Sequence, residues 1–128
     1  MATERQNAYP ADFELAEFRP VAYYDKHMDC IRVVTHDRSV TEHRISEFFT
    51  LHEPNHRLPF DPDYVGFTIK GIRSLFSDAG IALDRSYKLA DIIDRLVKYR
   101  PGSMMSETLR LIFKGDTGDL SVEMNAAA

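Results

Sequence analysis

The sequence predicts an α+β fold, in which an antiparallel β-meander of four or five strands packs against two helices and a C-terminal hairpin or third helix follows. Residues 20–70 alternate β-branched and aromatic segments with short polar turns, which is typical of consecutive antiparallel strands. After Ile69 the apolar residues recur three and four positions apart, which indicates helices. The chain of 128 residues has the length of one domain, 1–128.

The strand prediction rests on segments rich in β-branched and aromatic residues that polar turns separate. These segments are 21–24, 30–35, 40–45, 48–51 and 64–69. Segment 40–45 is mostly polar, so we expect it at an edge of the sheet. Residues 52–63 contain Pro54, Pro59 and Pro62 and predict a long loop before the last strand. Residues 20–70 therefore form the predicted β-meander.

The helix prediction covers residues 71–79 and 87–99, which begin a predicted extension over 71–124. In the first helix Ile72, Leu75 and Phe76 share a face and Gly80 marks the end. The second helix has the clearest amphipathic pattern in the chain, with Ser86 as the expected N-cap. Its apolar face is formed by Leu89, Ile92, Ile93, Leu96 and Val97.

Both termini and the segment 107–124 are less regular. Residues 11–18 predict two helical turns between prolines, and residues 1–10 and 125–128 are expected to be loose tails. Apolar residues alternate on both sides of the turn at 115–118, which favours a hairpin. The alternative is a third helix that Ser103 or Ser106 caps and that ends at Gly115.

The composition excludes several classes of protein. There are 16 Lys+Arg against 20 Asp+Glu, a formal net charge of -4, which argues against a general nucleic-acid binder. The only cysteine is Cys30, so the chain cannot form an intrachain disulfide. No apolar run is long enough to cross a membrane and the N-terminal residues are polar, so we expect a cytoplasmic protein without membrane contact.

A short pattern resembles a known family. Tyr24 and Asp25 are followed by Asp29, and Val65-Gly66-Phe67-Thr68-Ile69 comes later, as in Tyr-Asp-x-x-x-Asp … Val-Gly-x-x-Ile. This pattern resembles a family of small bacterial β-meander domains of unknown function over about residues 23–72. The resemblance implies a bacterial protein and supports the strands, but it implies no activity. From the residues themselves, we expect the aspartates to bind turn N–H groups and Gly66 to mark a bulge or a close backbone approach.

Residue types that recognise partners are concentrated in the 52–63 loop. The candidates for partner binding are His52, Asn55, His56, Arg57 and Phe60. Long loops in compact domains are often functional, whereas the alternative is an ordinary connection that prolines stiffen. The loop is therefore the best candidate for a binding surface.

Two alternatives concern the sheet. His36, Asp37 and His43 could approach one another across a hairpin and hold a metal ion in a small His-dependent enzyme. Arg32 and Arg44 could form a cationic stripe on one sheet face, as in an RNA-associated module. There is no glycine-rich phosphate loop or nucleophile elbow, so we expect neither catalytic nor cofactor-binding residues.

The favoured interpretation is a non-enzymatic protein-binding or regulatory module that acts through contacts with an unidentified protein. The exposed sheet edge or the face of the 87–99 helix could also form a homodimer.

Overall fold

The computed structural model describes residues 18–112 and 117–124, which form two antiparallel sheets and three helices. The larger sheet contains β1 (Val21–Asp25), β2 (Cys30–Val34), β3 (Val40–Ser46), β4 (Phe49–Pro54) and β5 (Gly66–Lys70). The other elements are α1 (Ile72–Ala79), β6 (Ser86–Lys88), α2 (Leu89–Tyr99), α3 (Met104–Ile112) and β7 (Ser121–Glu123). The α+β prediction is confirmed. The tails 1–10 and 125–128, and the segment 11–18 apart from Phe18, lie outside the described residues.

The strand order of the larger sheet is β1-β2-β5-β4-β3, so the chain does not follow a simple meander. A meander would place β3 beside β2, whereas β5 lies between the hairpins β1–β2 and β3–β4 and pairs with both. The burial of the strands explains this order. β5 is buried on both faces and suits the centre of a sheet, while β3 is largely exposed and lies at the edge, as its polar sequence predicts.

One face of the larger sheet and all three helices share a single apolar core. Phe49 and Phe67 lie diagonally across neighbouring strands, with ring centroids 5.7 Å apart. The fully buried members of the core include Ile31, Val33, Phe49, Phe67, Ile69, Ile72, Leu75, Phe76, Leu89, Ile92, Leu96 and Leu109. Every apolar position that predicts the core faces of α1 and α2 belongs to this cluster or packs against it.

The first aspartate of the Tyr24-Asp25…Asp29 pattern closes the turn between β1 and β2. The Asp25 carboxylate accepts hydrogen bonds from the backbone N–H groups of His27 and Met28, each at 3.0 Å. The expected role of this aspartate in its own turn is confirmed.

Asp29 connects that turn to the start of α1, where its partner Arg73 lies 44 residues further along the chain. Its carboxylate accepts the Arg73 N–H at 3.1 Å and the Tyr24 hydroxyl at 2.9 Å, and its carbonyl accepts the Ile72 N–H. Burial and the bond to Asp29 raise the pKa of Tyr24. Asp29 therefore caps the first turn of α1, for which Gly71 at the N-cap position offers no side chain.

The N-terminus of α2 differs from the prediction. Ser86 is not an N-cap, because it lies in β6 and pairs with Glu123 of β7. The first N–H groups of α2, those of Leu89 and Ala90, donate instead to the carbonyls of Leu120 and Gly118. Backbone from a later part of the chain thus replaces the expected side-chain cap.

The segment after α2 forms the third helix and not the hairpin. Ser103 caps α3, since its hydroxyl accepts the Ser106 N–H at 3.1 Å. Met105 and Leu109, one helical turn apart, are both buried in the core. Residues 121–123 form β7 and pair with β6, so they have no strand partner in 107–112.

In the described parts of the chain, none of the helices is both long and apolar enough to span a lipid bilayer.

Candidate functional site

The connection between β4 and β5 is the candidate site, and it begins later than predicted. β4 extends to Pro54, so the loop comprises residues 55–65 and not 52–63. His52 therefore belongs to β4, where only 4% of its surface is exposed. His52 therefore lies outside the loop in which the sequence placed it, and the strand buries the side chain that a partner would have to reach.

A tight turn at Leu58–Pro59–Phe60–Asp61 forms the tip of this loop. The Asp61 N–H donates to the Leu58 carbonyl at 3.0 Å, which closes a β-turn. Pro59 occupies the second position, and Phe60 at the third position has a φ of 73°. This combination is typical of a type II turn, in which the third residue is normally glycine or asparagine. Phe60 is therefore held in a conformation that its side chain disfavours.

The Asp61 carboxylate fixes this turn to the connection between β2 and β3. It forms two parallel bonds with the Arg38 guanidinium, at 2.9 and 3.0 Å, and it also accepts the Leu58 N–H at 2.9 Å. Only 5% of the Asp61 side chain is exposed. The bonds from Arg38 and from the Leu58 N–H lower the pKa of Asp61, so the pair stays ionised.

The clamped turn presents an apolar tip to solvent. Phe60 has a relative exposure of 104%, and Leu58 has one of 49%. A phenylalanine that is both fully exposed and conformationally strained contributes no burial to the fold of the described residues. Fixed, exposed aromatic side chains are common anchors of protein interfaces. The turn, hereafter the Phe60 turn (Leu58–Asp61), is therefore suited to insertion into a partner.

The other predicted loop residues have structural contacts or lie beside the tip. The Asn55 side chain accepts a hydrogen bond from the Thr41 hydroxyl at 2.6 Å, and its N–H donates to Ser39. Arg57 forms an exposed ion pair with Asp63 at 2.8 Å, and His56 is exposed. The sequence indicates Phe60 as a binding residue, but it does not indicate Leu58 or the Arg38–Asp61 clamp. Pro59 and Asp61, two residues apart, predict the turn, but nothing near them in the sequence indicates that Arg38 binds Asp61.

The residues proposed for a metal site have separate partners. The His36 ring bonds to the Thr35 hydroxyl at 2.8 Å, and the His43 ring bonds to Glu53 at 2.6 Å. Asp37 is exposed, and its carbonyl accepts a bond from Arg38. Within residues 18–112 and 117–124, no three His, Cys, Asp or Glu side chains come close enough to hold a metal ion. The geometry therefore offers this hypothesis no ligand set.

The outer face of the large sheet, opposite the core, carries the predicted arginine stripe. The strand registers place Arg32, Thr68, Thr50 and Arg44 in one row across the sheet. Arg32 forms an ion pair with Glu42 at 3.6 Å. Phe49, which lies on the neighbouring strand β4, is buried in the core and does not reach this face. The Glu42 carboxylate on the same face thus offsets part of the positive charge of the stripe.

The Arg32–Glu42 pair passes over a buried histidine. β5 and β4 lie between the strands that carry the pair, so the backbones of Arg32 and Glu42 are roughly 14 Å apart and their side chains meet above the sheet. His52 is on that face and bonds to the Thr68 hydroxyl at 2.8 Å. Burial lowers the pKa of His52; the Glu42 charge opposes this effect and the Arg32 charge adds to it. The fold therefore favours neutral His52.

Mild acid is expected to destabilise the fold through His52. The unfolded chain protonates this ring near its ordinary pKa of 6.5, whereas the folded chain does so at a lower pH. The unfolded state thus binds more protons in this window, and the free energy of unfolding falls as the pH drops below 6.5 and through the lowered pKa. Urea unfolding between about pH 5 and pH 8 measures this dependence. His52→Gln should flatten it, while the exposed control His56→Gln should not; equal profiles for both variants would contradict the assignment.

A shallow groove between α2 and α3 has a volume of about 130 Å³ and is lined by Ile93, Asp94, Val97 and Arg110. Pockets for small organic ligands usually enclose about 300 Å³ or more. The groove is therefore too small to serve as a substrate site.

Comparison of the chain with protein-family models, curated proteins and solved structures gave no match. The resemblance based on Tyr24, Asp25, Asp29 and Val65–Ile69 consequently stays a prediction. The contacts of Asp25 and Asp29 give those positions a structural role, as sequence analysis expects of turn aspartates.

Proposed function

We propose that this protein is a small binding module that acts through protein contacts, with the Phe60 turn as its anchor. One observation carries the proposal: a fully exposed phenylalanine occupies a left-handed backbone conformation in a turn that a partly buried ion pair, Arg38–Asp61, holds in place. A residue that costs stability and adds no core contact in the described structure is expected where function requires it. A partner with an apolar pocket would bury Phe60 and Leu58 together.

The free thiol of Cys30 supports a reducing compartment. Cys30 is a buried free thiol, and burial raises its pKa, so it stays protonated and unreactive. A cytoplasmic location is therefore part of the proposal.

Replacing Phe60 with asparagine is expected to separate stability from binding. Asparagine tolerates the left-handed conformation, so Phe60→Asn should raise the free energy of unfolding by about 0.5–1 kcal/mol. Loss of an anchoring aromatic side chain should weaken partner binding about 30-fold or more. Urea unfolding measures the change in stability. Titration with the partner, once the crosslinking experiment described next has identified it, measures the change in affinity. A variant that is less stable, or that binds as tightly as the original, would refute the proposal.

The partner can be identified by placing a photo-crosslinking phenylalanine analogue, p-benzoylphenylalanine, at position 60. The matched control carries the same group at Leu111, which is also apolar and 71% exposed, but on α3. Irradiation in a lysate of the source cells should give a discrete product from position 60 and not from position 111. Excess unmodified protein should compete for this product, whereas excess Phe60→Asn protein should not. Identical products from both positions, or equal competition by both proteins, would count against the Phe60 turn.

A further inference from the structure

The open edge of the large sheet is a second interaction surface, and it does not depend on the Phe60 turn. Among the described strands, β3 pairs only with β4, and its residues Thr41–Arg44 are exposed. The strand at the opposite edge, β1, has β7 close beside it, and α3 contacts β3, but Thr41–Arg44 of β3 stay exposed. A long exposed edge presents unpaired N–H and C=O groups and readily accepts another strand.

The hydrogen bonds of β4 show which groups of β3 face outward. The His52 carbonyl accepts the Val65 N–H on the β5 side, so the backbone polar groups of His52 point away from β3. Glu42 lies opposite His52 in the register, so its own N–H and C=O point away from β4. Because this direction alternates along a strand, the backbone groups of Val40, Glu42 and Arg44 all face the open edge.

The outward-facing residues are self-complementary in one antiparallel register. Pairing two copies of β3 about Glu42 would place like carboxylates opposite each other, and pairing about Arg44 would place like guanidinium groups opposite each other. With the twofold axis at His43, Glu42 of each copy lies opposite Arg44 of the other, and both form hydrogen-bonded pairs. Opposite charges directly across a strand pair stabilise it, whereas like charges destabilise it.

The local contacts of these side chains leave them available for such pairing. Within residues 18–112 and 117–124, Arg44 makes only a 3.4 Å bond to the Ser46 carbonyl, and its contact with Glu42 of another copy would provide a carboxylate. The Arg32–Glu42 pair, at 3.6 Å, is longer than a charge-assisted hydrogen bond of about 2.7–2.9 Å. A bulge between Arg44 and Ser46 interrupts the strand next to this segment, which hinders registers that slide past Arg44.

We propose that a second copy of this chain pairs antiparallel with β3, with the twofold axis at His43, so that Glu42 of each protomer contacts Arg44 of the other. The two five-stranded sheets then become continuous across the dimer. At the axis, each His43 ring keeps its bond to Glu53 of its own protomer.

Charge reversal tests the register. Sedimentation equilibrium of the full chain should show a reversible dimer, and Glu42→Arg and Arg44→Glu should each weaken it by about 10-fold or more, since each creates like-charge pairs on both sides of the axis. The double variant with both changes restores opposite charges and should recover dimerisation. Arg32→Gln is the matched control, because it removes the intrachain pair and leaves the edge unchanged. A monomeric chain, or a double variant as weak as the singles, would overturn the proposal.

Cysteine crosslinking tests the axis independently of charge. In the proposed register, residue 43 lies opposite itself in a non-hydrogen-bonded pair, with Cα atoms about 4.5 Å apart, within disulfide reach. His43→Cys should therefore form a disulfide-linked dimer under mild oxidation. Thr41→Cys is the control, since the two copies of residue 41 would lie roughly 13 Å apart. Equal crosslinking of both variants, or none of His43→Cys, would contradict the register even if the protein dimerises by another surface.

Discussion

Replacing Gly66 with alanine is expected to destabilise this protein by about 3 kcal/mol or more. A Cβ atom at this position would clash with the Val33 carbonyl oxygen, because it would lie closer than the 3.0 Å that real Cβ atoms respect. The obstacle is backbone of the neighbouring strand and not a side chain that could rotate away. β2 and the central strand β5 would have to separate at this end of their pairing.

Urea unfolding of Gly66→Ala measures this effect, and Gly80→Ala is the matched control. Gly80 ends α1 with a φ of 73°, and no atom lies within 4 Å of its added Cβ. That change should therefore cost only the left-handed strain of about 1 kcal/mol. If the two variants are equally stable, the close approach of β2 and β5 does not exclude a Cβ atom at position 66.

Removing the Asp29 carboxylate is expected to have the second largest effect, a loss of about 2–4 kcal/mol in Asp29→Ala. The change removes the cap on the Arg73 N–H and leaves the Tyr24 hydroxyl without its acceptor. It also places alanine at a φ of 53°, which asparagine or aspartate tolerates far better. These losses coincide because one side chain joins the β1–β2 turn to α1.

Two variants separate the parts of this effect in thermal and urea unfolding. Asp29→Asn keeps an oxygen acceptor and a residue suited to positive φ, so it should lose less than half as much stability as Asp29→Ala. Asp25→Ala removes only the bonds to His27 and Met28 within an exposed turn, and should cost about 1 kcal/mol. Asp25→Ala and Asp29→Ala variants of equal stability would show that the link to α1 contributes nothing.

Where residues interact with close neighbours in the chain, the sequence predicted this protein well. The apolar spacing of Ile72, Leu75 and Phe76 identified α1 to within a residue, and the polar composition of 40–45 placed β3 at the edge. Such patterns depend only on the period of a helix or strand and on which face is buried. The choice between hairpin and helix for 107–124 required tertiary contacts, since Leu109 fits both periods.

The candidate site shows the same division. Phe60 was predicted as a binding residue from its type and its place in a proline-containing loop. Its importance comes from geometry that no short segment encodes: Arg38, 23 residues away, clamps Asp61 and thereby fixes the turn. His52 shows the opposite case, because β4 continues past the predicted end of the strand and buries a side chain that sequence alone placed in the loop.

Sequence alone established the α+β class, the helix faces and the edge position of β3, because each follows from local periodicity and polarity. Tertiary structure decided that β5 enters between the two hairpins, that Asp29 caps α1, and that the Leu120 and Gly118 carbonyls accept the first N–H groups of α2. In each case, residues distant in the chain provide the missing contact: neighbouring strands for the buried β5, or hydrogen-bond acceptors for the first N–H groups of a helix. A single segment can indicate that a strand or a helix end needs such a contact, but only the packed fold determines which residues provide it.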